Sequence, residues 1–186
     1  MTGFLTGAGE RDVRVDGHTV RVSRLDRVLW PTTGTTKAEL IDYYVRVAPV
    51  LLPHLRDRPV TLHRFPEGVG QRGFFQTRVP PHPPWVRTVT MSFPRTGNTF
   101  RAPLVGDLPS LVWAANLSSI ELHPYLGRAG RLDTPTVVVF DLDPGPPAGL
   151  LDAAAIALRV REVLDAAGWC RSRRPRGARA CTSTCR

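Results

Sequence analysis

The sequence predicts an α+β domain, on three observations. Short β-type runs recur along the chain, the strongest being Val137-Val138-Val139-Phe140. Three stretches carry helical spacing, and strands and helices do not alternate in the regular rhythm of a parallel βαβ sheet. A length of 186 residues with 42% hydrophobic content is enough for one ordinary core. Glycine and proline together make up about 18% of the chain, below the level that marks disorder.

Taken in order, residues 1–20 are polar and Gly-rich, and Val13, Val15 and Val20 predict a short strand there. The segment 23–31, Ser-Arg-Leu-Asp-Arg-Val-Leu-Trp-Pro, leads into a turn rich in Thr and Gly. Thr36 caps a helix starting at Lys37, with Glu39 at the capping-box position. Leu40, Ile41, Tyr44, Val45 and Ala48 fall at helical spacing, and Pro49 should end or kink the helix, leaving 50–52 to add one turn. Residues 59–65 read as a strand and 68–73 as a loop, followed by Phe74-Phe75 and the prolines 80, 81, 83 and 84. Strands are expected at 86–91 and 99–101, a short helix at 108–117 and a strand at 120–123. A stronger strand covers 136–142, ending in Asp141-Leu142-Asp143-Pro144-Gly145. The last helix, 149–167, has Ala153, Ile156, Val160, Val163 or Leu164, and Ala167 as its apolar stripe. The chain shows no internal repeat.

The formal charge of +9 and pI near 10.8 point superficially to nucleic acid. Six of the arginines (171, 173, 174, 176, 179 and 186) lie in the last stretch with no acid among them, and without them the charge is +3. Cys170, Cys181 and Cys185 also lie there, so the first 169 residues contain no cysteine. No apolar run approaches the ~18 residues of a membrane span. Charged residues 10–12 and 14 occupy the place of a signal peptide's apolar centre. A soluble, cytoplasmic protein is expected.

Asp141 and Asp143 are the sharpest chemical feature. Residues i and i+2 of a strand share a face, so the two carboxylates converge at a strand end, where a divalent cation can bridge them to phosphate oxygens. The plainer reading is turn chemistry with solvated carboxylates. Asp-x-Asp also holds Mn²⁺ in sugar-nucleotide transferases.

Phe74 and Phe75 would ordinarily be core, one of them buried and its neighbour facing out. An exposed ring beside Arg72 and Arg78 can stack on an unpaired base. Lys37, the only lysine against 24 arginines, sits in the first turn of a helix, where free N–H groups favour an anion. A phosphate held between Lys37 and Arg27 competes with a merely solvated helix end. His123 ends a short strand, and Asn116, Ser118 and Ser119 read as capping groups.

These residues also carry a resemblance. The segment 23–31 with Thr36-Lys37 and Asp42-Tyr43-Tyr44 resembles the opening of the polymerase domain of bacterial ATP-dependent DNA ligase D. So do Arg58-Pro59-Val60-Thr61, Gly73-Phe74-Phe75-Gln76, Ile120-Glu121-Leu122-His123-Pro124 and Phe140-Asp141-Leu142-Asp143-Pro144. These motifs stand in the family's order between about residues 20 and 168. The resemblance implies a primase-like fold of the archaeo-eukaryotic primase superfamily. It also implies a role in non-homologous end joining, adding nucleotides at DNA ends or gaps with Mn²⁺ (or Mg²⁺).

By the same resemblance, Asp141 and Asp143 match metal-binding, catalytic carboxylates and His123 an active-site histidine near the incoming nucleotide. Phe74 and Phe75 match the pair that stacks on the template. Lys37, with Arg27 where relatives often carry a second lysine, matches the grip on the 5′-phosphate. Thr77 stands where relatives usually have lysine, and Arg78 is the available substitute. Implied partners are DNA ends with a 5′-phosphate and nucleoside triphosphates, with a ligase domain and a Ku-type end-binding protein as associates. No membrane partner is implied, and the expected location is the cytoplasm, at the nucleoid.

The resemblance stops near Trp169, dividing the chain into 1–169, the N-terminal part of a primase-like polymerase domain, and 170–186, an out-of-frame basic tail. Relatives continue with a segment like Pro-Lys-Thr-Ser-Gly-x-x-Gly-Leu-His-Val-Tyr-Val-Pro, and their third metal carboxylate lies later. Shifting the codons back one base from Cys181 forces Leu/Met/Val, then His/Tyr, then an apolar residue where Ser183 uses a TCN codon, then Tyr/His/Asn/Asp, then Leu/Met/Val. Leu-His-Val-Tyr-Val meets every constraint, which implies a frameshift near residues 168–172. A sheet incomplete at its C-terminal end and an inactive chain are therefore expected. The alternatives are a non-catalytic binder of 5′-phosphorylated ends and, less well supported, an Asp-x-Asp glycosyltransferase.

Overall fold

A computed structural model describes residues 9–92, 97–168, 171–176 and 180–185, in two compact units, Met1–Tyr125 and Leu126–Arg186. The first unit opens with a hairpin of β1 (Arg11–Val15) and β2 (His18–Val22), where a single strand was expected. Asp16 and Gly17 between them take φ of 43° and 81°, the two-residue turn that matches strand twist. The short pair β3 (Val28–Trp30) and β4 (Thr35–Thr36) then delivers the chain to α1 (Lys37–Leu55).

The capping box forms as the sequence predicts. Glu39 N–H donates to Thr36 Oγ1 and Thr36 N–H donates to Glu39 Oε2 at 2.8 Å. Such a cap stabilises a helix by about 1 kcal/mol. Pro49 does not end α1, which runs on to Leu55 through Pro53 as well. Both prolines are exposed and four residues apart, so their missing N–H groups fall on the solvent face of the helix.

β5 (Val60–Arg64) is the centre of an antiparallel sheet, flanked by β6 (Phe74–Gln76) and β9 (Ser119–Pro124). Between them in sequence lie the hairpin β7 (Thr88–Ser92) and β8 (Thr99–Pro103) and the helix α2 (Leu108–Asn116). Asp107 caps α2, accepting from Ser110 N–H at 2.9 Å, and residues 111–115 are all buried. A helix apolar on every side belongs in the middle of a core. Around it gather Val20, Val22, Leu25, Leu29, Ile41, Leu55, Val60 and Leu62, each at most 1% exposed. Burial of each such side chain contributes about 1.5–3 kcal/mol.

In the second unit, β10 (Val138–Leu142) precedes α3 (Leu150–Ala166), β11 (Arg171–Arg176) and β12 (Ala180–Cys185). The strand order is β10-β12-β11, all antiparallel, with α3 against β10 and β12. The sheet expected to present an unpaired edge thus pairs β10 with the tail itself, Asp141 opposite Thr182 and Val139 opposite Thr184. Ladder hydrogen bonds come from the backbone, so a changed side-chain set does not forbid the pairing. Cys170, Arg179 and Arg186 of the tail lie outside the described residues. On α3 the buried positions are Ala153 and Leu164, while Ile156 and Val163 of the expected stripe are 53% and 68% exposed. The true stripe runs Ala153, Ala157, Val160 and Leu164, one position away from Ile156.

Candidate functional site

The sheet of the first unit places two groups of side chains on its two faces. In register, His63 lies opposite Phe75 on one side and Glu121 on the other, and Thr61 lies opposite His123. Side chains on paired residues share a face, so Phe75, His63, Glu121 and His123 are gathered together. The Phe75 ring stacks on His63, centroids 4.0 Å apart and planes 15° from parallel, and meets His123 edge-on at 5.3 Å. Phe65 continues the column, 4.4 Å from His63. Gly73 lets the Phe65 ring pack closely there, since a Cβ would push the ring aside.

Glu121 Oε2 is shared. His123 Nε2 donates to it at 2.9 Å, and His63 Nδ1 lies 3.1 Å away. The His63 contact is close in distance but off the line that a hydrogen bond requires, and His63 Nδ1 is shut away from solvent without another partner. His63 first, and His123 after it, hold the Glu121 carboxyl below the usual glutamate value against the partial burial that would raise it. These three are the only group of three or more metal-capable side chains among the described residues.

Phe74 points to the other face, alongside Leu62, as adjacent strand residues must. The expectation that one phenylalanine would be core is not met: Phe74 is 46% and Phe75 62% exposed. β6 is an edge strand of three residues, and at its end the cover over Phe74 is a guanidinium rather than the core. Arg64 lies 5.3 Å from the Phe74 ring centre, donates to Leu117 O at 2.9 Å and bonds Gln76 Oε1. Arg78, the expected substitute for the missing lysine at Thr77, lies 5.9 Å from the Phe100 ring.

Lys37 is buried, at 4% exposure, and its Nζ donates to Asn116 O at 3.1 Å. Burial first, then the charges of Arg24, Arg27 and Arg64, together lower its pKa to about 8 against the pull of Asp26. The charges of Arg24, Arg27 and Arg64 make the surroundings of this ammonium net positive. Arg27 is next to it, as the phosphate reading needs: its carbonyl accepts from Lys37 N–H at 2.8 Å. The Arg27 guanidinium itself is paired with Glu67. Asn116 does more than cap, since Oδ1 accepts from Ser23 N–H at 3.0 Å and Nδ2 donates to Arg21 O at 3.2 Å.

Asp141 stands one residue from the end of β10 and Asp143 just beyond it, both exposed. They belong to the second unit, while His123, Phe74, Phe75, Lys37 and Arg27 belong to the first. Two exposed carboxylates at this spacing suit a hard divalent ion, for which oxygen donors are preferred. The sequence reading passed over His63, Glu121, Arg24 and Arg64. Only the register of β5 with β9 and β6 brings the first two together, and no spacing within one segment could have shown it. Among the described residues no helix is long and apolar enough to cross a membrane.

The family described as LigD, primase-polymerase domain, matches residues 36–173. The multifunctional non-homologous end joining protein LigD of Mycolicibacterium smegmatis is 36% identical over 148 residues, covering 78% of this chain and 19% of that protein. Its counterpart in Mycobacterium tuberculosis, a DNA repair protein, is 37% identical over 154 residues, covering 78% and 20%. The chain therefore spans about a fifth of the length of these relatives. Among solved structures, the polymerase domain of Mycobacterium tuberculosis ligase D in complex with DNA matches with a TM-score of 0.81 and 32% identity. That match covers 89% of this chain and 60% of the other.

Proposed function

Because this chain belongs to the LigD primase-polymerase family, we propose that it is a nucleotidyltransferase acting at DNA ends in non-homologous end joining. The observation that carries this reading is the first unit's pairing of a concentrated cationic site with an exposed aromatic edge. Lys37 is buried and feels the charges of Arg24, Arg27 and Arg64, and the Arg64 guanidinium lies 5.3 Å from the Phe74 ring. Cations hold a terminal phosphate, and open rings take unstacked bases.

In this reading Lys37 and Arg27 grip the 5′-phosphate of a recessed end, and Phe75, with Phe74, stacks on the template. His123 faces the incoming nucleoside triphosphate, held in one tautomer by Glu121. Asp141 and Asp143 present their oxygens to Mn²⁺ or Mg²⁺. Such an ion supplies charge neutralisation on the transferred phosphoryl group and activation of the primer 3′-hydroxyl. The ligase domain and a Ku-type partner belong to the same proposal.

A second reading is favoured by the location of the DNA-facing groups, which all lie within residues 27–123. The chain would then bind 5′-phosphorylated ends without extending them. Primer extension on a gapped, 5′-phosphorylated template with Mn²⁺ separates the two. Incorporation that disappears in Asp141→Ala supports the transferase. End binding without incorporation supports the binder, and absence of both overturns the two readings together.

A further inference from the structure

We infer that His63, Glu121 and His123 form a binding site for a Zn²⁺-class transition-metal ion, made from side chains other than the Asp141–Asp143 pair. The donor set is two imidazole nitrogens and one carboxylate oxygen, all within 4.8 Å of one another. Zinc binds nitrogen at about 2.0–2.1 Å, which places tetrahedral ligand atoms about 3.3 Å apart. Two of the three separations here are already close to that spacing, at 3.1 Å and 2.9 Å. Only the gap between the two rings has to narrow. His123 is about a third exposed, so its ring is free to turn by that amount.

Three features argue that the cluster is built for an ion rather than for hydrogen bonds alone. His63 Nδ1 is buried, and its 3.1 Å contact with Glu121 Oε2 is poorly aligned for a hydrogen bond, so an ion taken by the deprotonated nitrogen would satisfy it better than the carboxylate does. Its ring is fixed, held between Phe65 and Phe75, so the nitrogen cannot swing away to water. The three residues are positioned by one antiparallel ladder: His63 opposite Glu121, and His123 two residues along the same face. Ligands on a rigid sheet lose little freedom when the ion enters. Nitrogen donors select a Zn²⁺-class ion over Mg²⁺, and three protein ligands leave a fourth position open.

The test is metal titration of the full, tag-free chain, reading Co²⁺ visible absorption and Zn²⁺ affinity by competition with a chromophoric chelator. One tightly held ion per chain is expected at this cluster, apart from any weaker ion on the Asp141–Asp143 oxygens, with X-ray absorption of the tight site showing two imidazoles. His63→Gln and Glu121→Gln should each weaken Zn²⁺ by more than about tenfold, since losing even a ligand's supporting hydrogen bond costs about 10–100-fold. Circular dichroism checks that each variant is folded, and the spectroscopy of the unaltered chain stands if one is not. Asp141→Asn with Asp143→Asn should leave the affinity unchanged, as should replacing Cys170, Cys181 and Cys185 by serine. Binding that follows the cysteines or the aspartates, an absorption spectrum without two imidazoles, or undiminished affinity in folded His63→Gln overturns the inference.

Discussion

Phe75 lies flat against His63, ring centroids 4.0 Å apart, with its outer face open. One face of the ring is thus supported from within the sheet, and the other is free to receive a base. Phe74 differs, because the Arg64 guanidinium lies 5.3 Å from its centre. Phe75→Ala should therefore weaken binding to gapped DNA by about 1–3 kcal/mol, the loss of one base–aromatic stack. Phe74→Ala should cost less. Fluorescence anisotropy with a single unpaired template base measures both, and an equal loss would show that Arg64 does not occupy Phe74.

Lys37 makes the phosphate contact dependent on pH. Burial holds its pKa near 8, so the ammonium is lost above that value, where an exposed lysine stays charged to about 10. Preference for a 5′-phosphate over a 5′-hydroxyl should fall between about pH 8 and 9.5, by up to about tenfold per unit. Lys37→Arg should keep its preference constant over that range. Lys37→Ala should weaken phosphorylated ends more than unphosphorylated ones. Equal weakening of both would reduce Lys37 to general positive charge.

The same shift has a definite sign in stability. Between about pH 8 and 10.5 the unfolded chain holds more protons on Lys37 than the folded one, so this group makes stability rise with pH in that window. Below about pH 8 the cost of the buried charge is fully present. Urea unfolding of the wild type against Lys37→Met, at pH 7.5 and 9.5, isolates the increment.

Much of this architecture was legible because it rests on local rules. The Thr36–Glu39 box, the burial of Leu40, Ile41, Tyr44 and Ala48, and the Val138–Leu142 strand follow from capping and periodicity. What stayed hidden depends on pairing between distant segments. Nothing in Thr61-Leu62-His63 indicates that Glu121 will be its neighbour, and the burial of Lys37 depends on the far end of α2 supplying Asn116 O. Pro49 misled because its effect depends on which helix face it occupies, and the phenylalanines because β6 is an edge.

Asn116 joins three segments, so its side chain should matter to stability beyond its size. Asn116→Ala removes the acceptor of Ser23 N–H and the donor to Arg21 O while leaving the backbone carbonyl that Lys37 uses. Leaving the partly buried Ser23 N–H unpaired should destabilise by about 1–3 kcal/mol, the exposed Arg21 O adding little. The readout is the urea midpoint. A change smaller than about 0.5 kcal/mol would mean that water replaces both bonds.

The last prediction concerns the reading frame of the tail. Position 182 is the register partner of Asp141 and position 184 that of Val139, so both lie along the strand that carries the carboxylate. In the sequence as it stands these positions are Thr182 and Thr184, and Cys181, Ser183 and Cys185 alternate with them. One base back, the codons for 181 and 185, and that for 183 where Ser183 uses TCN, yield apolar residues, while 182 becomes His or Tyr and 184 becomes Tyr, His, Asn or Asp. The shifted reading therefore alternates apolar with polar at period two, the pattern of a half-buried strand, and puts a ring beside Asp141 in the ladder. The gene's nucleotide sequence across codons 165–186 should show a one-base slip near 168–172. A chain restored to that frame should extend a primer on a gapped, 5′-phosphorylated template with Mn²⁺ more strongly than the chain as it stands. An intact frame through those codons, with incorporation by the 186-residue chain that Asp141→Ala abolishes, would refute the slip and make Thr182 the natural neighbour of Asp141.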